Sequence, residues 1–251
     1  MIILLTMFFL GCVVGFIGVG GAAMVVSILT FFFGISIHTA LGISLGAMAF
    51  TTFSGTLSHF RDGNLSIKTG LTIGIFASLG SFIGAHVAHF IPPSELKYMT
   101  AFLLYISAAV AYLRLFSHVF DKILEKNAGE NCSSGKFFTI CFLIGFINGL
   151  LAGTFGFGAA QFIQLSMLMC FSLPINKIVG TTMLIMLPMG FFGSIGYLAS
   201  GSLDLRLFAE VVVGLMCGAY IGAKFTKRSP VWLLKTAMVS LPIIGGTLLI
   251  L

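Results

Sequence analysis

The sequence predicts an all-α integral membrane protein made of two inverted repeats, each a glycine-broken re-entrant helical hairpin followed by three transmembrane helices. Three observations carry this. Only 8% of the 251 residues are charged while 58% are hydrophobic, against about 25% charged in an ordinary soluble domain. Apolar runs long enough to cross a hydrocarbon core of about 30 Å, which takes about 20 helical residues, recur from end to end and leave no room for a soluble domain. The chain also aligns with itself, without a gap, at an offset of 138 positions (149 − 11).

At that offset Gly11, Gly15, Gly18, Gly20, Gly42, Gly55, Gly63, Gly80 and Gly84 face Gly149, Gly153, Gly156, Gly158, Gly180, Gly193, Gly201, Gly218 and Gly222, and Pro92, Leu96 and Lys97 face Pro230, Leu234 and Lys235. The division that follows is a first transmembrane repeat over 1–116, a cytoplasmic linker over 117–136 and a second transmembrane repeat over 137–251. The N-terminal "MIILLTMFFLGCVV" has no Lys or Arg before its apolar run and no small-residue cleavage site, so residue 1 onward is read as mature protein. In the first repeat a glycine-broken stretch over 2–33 precedes spanning helices over 39–60, 67–91 and 95–116; in the second, 137–171 precedes 177–198, 205–227 and 231–251. Between them "HVFDKILEKNAGENCSSGK" reads as a solvated tether.

Charge placement decides what the broken stretches are. If each were a single crossing, Lys and Arg would divide almost evenly between the two sides, against the positive-inside tendency. If each enters and returns, every repeat crosses an odd number of times and the second is inverted. Then Arg61, Lys68, Arg114, Lys122, Lys126, Lys136, Lys177, Lys224, Lys227, Arg228 and Lys235 share one face, leaving Lys97 and Arg206 on the other. This predicts a multi-pass protein of the plasma (inner) membrane with both termini on the non-cytoplasmic side.

The broken stretches are "GFIGVGGAAM" from Gly15 and "GTFGFGAAQF" from Gly153. Glycine allows a sharp turn and close packing. A half-helix starting at Ala22 or Ala160 would direct its unpaired N–H groups and positive dipole end toward the protein centre. Non-helical backbone at membrane depth is tolerated only inside protein or around a cavity, and helix N-termini there favour anions. Gly18, Gly20, Gly21, Ala22, Gly156, Gly158 and Ala159 are therefore candidate substrate contacts. The competing reading is plain helix packing, which certainly fits the small-xxx-small pairs Gly80/Gly84 and Gly218/Gly222. A dinucleotide fingerprint fails, because Gln161 stands where GxGxxA needs a small residue and no soluble strand precedes.

These residues resemble the TauE/SafE sulfite exporter family, which also includes sulfonate permeases. The resemblance rests on the two broken stretches, on "HTALGISLG" (His38 to Gly46) with its partner "NKIVGTTML" (Asn176 to Leu184), and on "GNLSIK" and "GSLDLR" before the third spanning helix of each repeat; it covers essentially the whole chain. The chain has Ala22 and Ala159 where the family often has further glycine. The resemblance implies a secondary transporter, in general an exporter, of a small sulfur-containing anion such as sulfite or an organosulfonate.

Polar residues near the breaks are the further candidates. Ser44 and Thr182 occupy equivalent positions after each hairpin, with Thr181 beside the latter, and their hydroxyls can donate to an anion or bond back to their own helix. Gln161 can donate twice from its amide and, being costly to bury unpaired, is expected to face the cavity or a neighbouring helix; Asn148 is a weaker candidate. For proton coupling the candidates are His59, which faces Tyr197 across the repeat, and Glu210. Either could instead sit at the interface, Glu210 reaching toward water. His86 and His89 are expected to snorkel.

Other functions are disfavoured by what the sequence lacks. There is no GxxxxGK[ST], so drive must come from the substrate gradient or an ion, with H+ as the candidate. Cys12, Cys132, Cys141, Cys170 and Cys217 show no metal-site spacing; no HExxH supports an intramembrane hydrolase, and the GxSxG at Gly42–Gly46 lies inside an apolar helical run rather than on a strand-to-helix turn. A passive small-anion channel is the closest rival. The expected partners are a small anion and the bilayer, with no nucleic acid, no cofactor and no metal; self-association into a homo-oligomer is compatible with the sequence.

Overall fold

A computed structural model describes residues 2–17, 21–116, 134–157, 159–171, 173–226 and 231–251, and every element among them is helical. The helices are α1 (Ile2–Ile17), α2 (Gly21–Phe31), α3 (Ile37–Arg61), α4 (Ile67–His89), α5 (Pro93–Phe116), α6 (Ser134–Phe155), α7 (Ala160–Cys170), α8 (Ile175–Ala199), α9 (Leu205–Thr226) and α10 (Val231–Ile250). Most of the expected linker, with Lys122, Lys126 and Cys132, lies outside the described residues, and α6 begins within its last positions.

Local sequence explains the ends of these helices. Ser36 caps α3 by accepting from Thr39 N at 3.3 Å. After α3 the chain turns at Gly63, φ +69°, and after α8 at its repeat partner Gly201, φ +70°. Glycine takes this left-handed conformation without a Cβ penalty. The turns match bond for bond: Asn64 N donates to His59 O and Ser202 N to Tyr197 O, both at 3.0 Å.

Helices α3, α4, α5, α6, α8 and α9 contain segments long and apolar enough to cross a membrane. Helices α3 and α8 form the centre, with 61% and 56% of their spanning segments buried against 33–50% for the other four. They run antiparallel, because Gly42 packs on Tyr197, Gly46 on Ser194, Gly55 on Met183 and Gly180 on His59. The pairing is also reciprocal. Adding 138 to Gly42 and subtracting it from Tyr197 gives Gly180 and His59, a pair also in contact, and Gly55 with Met183 likewise maps onto Gly193 with Leu45.

The outer helices exchange partners in the same way. On α6, Gly145, Gly149 and Gly153 press against the carbonyl oxygens of Ile73, Ala77 and Ser81 on α4, while Gly80 and Gly84 of α4 press on those of Phe146 and Leu150. On α1, Gly11 and Gly15 press on Leu215 and Ala219 of α9, while Gly214 and Gly218 of α9 press on Leu4 and Phe8. Glycine at every fourth position presents one bare face, so the backbones approach closely.

This register fixes how deep the breaks lie. Gly153 lies level with Ser81, 14 residues (81 − 67) into the 23 residues of α4, which is about 21 Å of about 34 Å at 1.5 Å per residue. Gly15 lies level with Ala219, 14 residues (219 − 205) into the 22 of α9. Both α1 and α6 therefore reach beyond the middle of the neighbouring helix. The two arms of the second hairpin also differ from a symmetric dip: α6 has 22 residues and reaches spanning length, whereas α7, like α2, has 11.

Basic residues gather at one end of the helical body. Lys68 Nζ lies 5.4 Å from the ring centroid of Phe137 beside Lys136, and Gly180, one turn after Lys177, packs on the Asn64 carbonyl in the turn after Arg61.

Candidate functional site

Among the described residues, the break between α6 and α7 holds two in the left-handed conformation, Gly156 (φ +65°) and Ala159 (φ +45°). Ala159 is fully buried, and an alanine there carries strain of about 1–2 kcal/mol. At Gly156 a side chain would run into Leu41 of α3. Helix α6 ends with carbonyl groups that lack intrahelical partners, and hydroxyls from α3 and α8 reach several of them. Gly156 N donates to Ala152 O at 2.7 Å. The Tyr197 hydroxyl donates to Gly153 O at 2.9 Å and lies 3.3 Å from Thr154 O. Ser44 Oγ reaches Gly156 O and its own Leu41 O, both at 2.8 Å.

The opposite end of the break is left open. The first intrahelical bond of α7 runs from Ile163 N to Ala159 O at 2.9 Å, so the N–H groups of Ala160, Gln161 and Phe162 have no partner within their helix. Ala159, the N-cap, provides no side-chain acceptor. Gln161 is buried, 7% exposed, and its amide makes no hydrogen bond to the described residues. Among the described residues, hydroxyls donate to carbonyls at the negative helix end, while no partner is found for the first N–H groups of α7. Such an arrangement favours a negatively charged ligand.

Of the residues named from sequence, Gly156, Ala159, Gln161 and Ser44 come together here. Gly158 lies outside the described residues, as do Gly18 and Gly20 in the first repeat; Gly21 and Ala22 begin α2, with Ala22 buried. Thr182, the repeat partner of Ser44, is buried and donates to Ile178 O at 2.8 Å; the partner of Gly156 is Gly18. Thr181 is directed elsewhere: it accepts from Ser66 N at 3.0 Å and so ties the α3–α4 turn to α8. Asn148 is buried and bonds back to Ile144 O at 2.8 Å. His59 has a buried Nδ1 without a hydrogen-bond partner among the described residues, next to Gly180. Glu210 sits 3.9 Å from Arg206 one turn earlier, and Arg206 is 91% exposed, which places this pair at the end of α9.

Sequence reasoning missed two contributors. Tyr197 stands in an apolar run where only its pairing with His59 across the repeat marks it, yet its hydroxyl holds the broken end of α6. Arg114 on α5 donates to Gln164 on α7; the signal available was Gln164 itself, three residues after Gln161 and so on the same helical face.

At the end of the body away from the basic cluster, a cleft of approximately 530 Å³ is lined by Ser36, His38, Thr39, His89 and Ser202 among others. His38 Nε2 lies 3.0 Å from Ala88 O, and its ring meets that of His89 edge-on at 6.1 Å between centroids.

A multi-pass helical body interrupted at depth by a buried, N–H-lined helix end is the build of a membrane transporter. The chain matches the family described as Sulfite exporter TauE/SafE over residues 3–249 and belongs to that family. It is 47% identical over 250 residues, covering 100% of both chains, to "Probable membrane transporter protein YdhB" of Bacillus subtilis (strain 168). It is 27% identical to "Probable membrane transporter protein YunE" of the same organism, over 87% of this chain and 85% of that one. Over 60% of this chain and 55% of the other, it is 31% identical to "Probable membrane transporter protein MJ0441" of Methanocaldococcus jannaschii. No solved structure matches it. The protein is thus a membrane transporter rather than an enzyme, and its family implies a small anionic substrate.

Proposed function

We propose that this transporter exports a small sulfur-containing anion, sulfite or an organosulfonate, by alternating access around a site formed by the tips of its two broken hairpins. The observation that carries this reading is the asymmetry at the α6–α7 break. Tyr197 and Ser44 donate to carbonyls at the end of α6, while among the described residues the first N–H groups of α7 and the Gln161 amide have no partner and are left for a ligand. Gly18, Gly20, Gly21 and Ala22 would supply the equivalent surface from the first repeat, with Gly158 and Ala159 shaping the second. Thr182 would hold the first tip as Ser44 holds the second, and Thr181 serves the turn beside it.

The antiparallel, reciprocal packing of α3 with α8 supports inverted repeats over 1–116 and 137–251, joined by a linker at 117–136. With the basic end cytoplasmic, both termini lie outside the plasma membrane and the cleft beside His38 and His89 is the outer mouth. Proton coupling falls to His59, whose Nδ1 is buried and unpartnered among the described residues. Glu210, beside Arg206, is the second candidate.

Flux in reconstituted vesicles, comparing sulfite, sulfate, thiosulfate and taurine with and without a pH gradient, tests this reading. Saturable flux of sulfite or a sulfonate is expected. Absence of flux for all four removes the assignment, non-saturating flux favours a channel, and indifference to the pH gradient removes proton coupling.

A further inference from the structure

Arg114 lies in the last turn of α5, is half-buried, and does not extend away from the protein; its Nη1 donates to Oε1 of Gln164. Gln164 is 3% exposed and stands on α7, one turn beyond Gln161, a rise of about 4.5 Å. Among the described residues no carboxylate pairs with Arg114, and the ion pair recorded there, between Arg206 and Glu210, belongs to α9. A guanidinium carries five N–H donors and a full charge. A neutral amide oxygen takes one donor and leaves the charge unbalanced, an arrangement that is costly away from bulk water until an anion arrives.

From these contacts we infer that Arg114 is a substrate-binding residue: it captures the anion on the basic side of the protein and passes it along Gln164 and Gln161 to the α7 N-terminus. The inference deepens the proposed function and rests on it. Charge explains why such a residue is needed. A helix end offers roughly half an elementary charge, so two tips together balance one negative charge and leave a doubly charged anion undercompensated. Arg114 adds one full positive charge and a planar pair of donors matched to two oxygens of a sulfite or sulfonate group. The residue therefore selects for anions of higher charge at the inner entrance.

The test is transport by Arg114→Gln and Arg114→Lys proteins in vesicles of known orientation, with the anion supplied from the basic side or from the opposite side. Sulfite and thiosulfate are compared with the singly charged methanesulfonate. Arg114→Gln is expected to raise KM for the doubly charged anions on the basic side by on the order of tenfold or more. The opposite-side KM and the maximal rate should change little, and the rise for methanesulfonate should be smaller. Arg114→Lys, which keeps the charge, should recover most of the loss. If Arg114→Gln proves unstable, Gln164→Met, which leaves Arg114 in place without its partner, should raise the same basic-side KM. An unchanged KM in a folded Arg114→Gln protein, or equal rises on both sides and for all anions, overturns the inference. Absence of anion flux in the wild type would instead remove the transport reading beneath it.

Discussion

Removing the hydroxyl of Ser44 isolates what holds the broken helix. Ser44 is fully buried in α3, and its Oγ reaches the carbonyl of Gly156, 112 positions away, at 2.8 Å. Gly156 follows the last residue of α6 in a left-handed conformation, and Ser44 is the donor found for its carbonyl among the described residues. Ser44→Ala therefore leaves a buried acceptor unpaired, at about 1–3 kcal/mol. A chain of this length shifts its midpoint by about 2–4 °C per kcal/mol, so Tm should fall by roughly 2–12 °C. Ser78→Ala is the control. Its Oγ bonds only to Gly74 O within its own helix, at 2.7 Å, where the carbonyl keeps its backbone partner, so the change should stay near 1 °C. Thermal unfolding in detergent, followed by fluorescence, reads both variants, and vesicle flux should fall in Ser44→Ala alone. Equal melting of the two variants, or a Ser44→Ala protein with wild-type stability and flux, would refute the reasoning that this hydroxyl positions the tip.

Tyr197→Phe should lower stability by a similar amount, about 1–3 kcal/mol, and reduce flux, since it uncovers the terminal carbonyls of α6; melting and flux together check this. Ala159→Val should destabilise strongly, because a β-branched residue cannot adopt φ +45° without strain, whereas Ala159→Gly should fold as well as the wild type in the same melting assay. Gly149→Leu should block close approach of α6 to α4 and yield protein that aggregates on size-exclusion chromatography. His59→Gln should remove the pH-gradient dependence of uptake while sparing exchange of anion for anion, as measured by counterflow of labelled sulfite.

Much of the fold can be read from the sequence because it rests on backbone-level features. The 138-residue offset anticipates both the matched glycine turns at Gly63 and Gly201 and the exchanged glycine faces of α1 with α9 and α6 with α4. Helix ends fall within two residues of the apolar runs at most boundaries, because in lipid the backbone must stay helical until it meets water or protein. Depth was not legible: hydrophobicity reports that a segment is buried, but the register between α6 and α4 depends on which carbonyl each glycine meets. The site was half legible. Glycines mark a break, yet the choice of Tyr197 and Ser44 as caps, Thr181 as a turn anchor and Arg114 as the neighbour of Gln164 arises from contacts between residues 44 to 115 positions apart. No local pattern encodes such pairs.

Thiol labelling of two single-cysteine proteins tests the inverted arrangement most directly. With the native cysteines replaced, Ile2→Cys reports the start of α1 and Lys136→Cys the start of its counterpart α6. Labelling of Ile2→Cys by an impermeant reagent from outside the cell, and of Lys136→Cys only once the membrane is opened, is the predicted result. Labelling of both from the same side would contradict it.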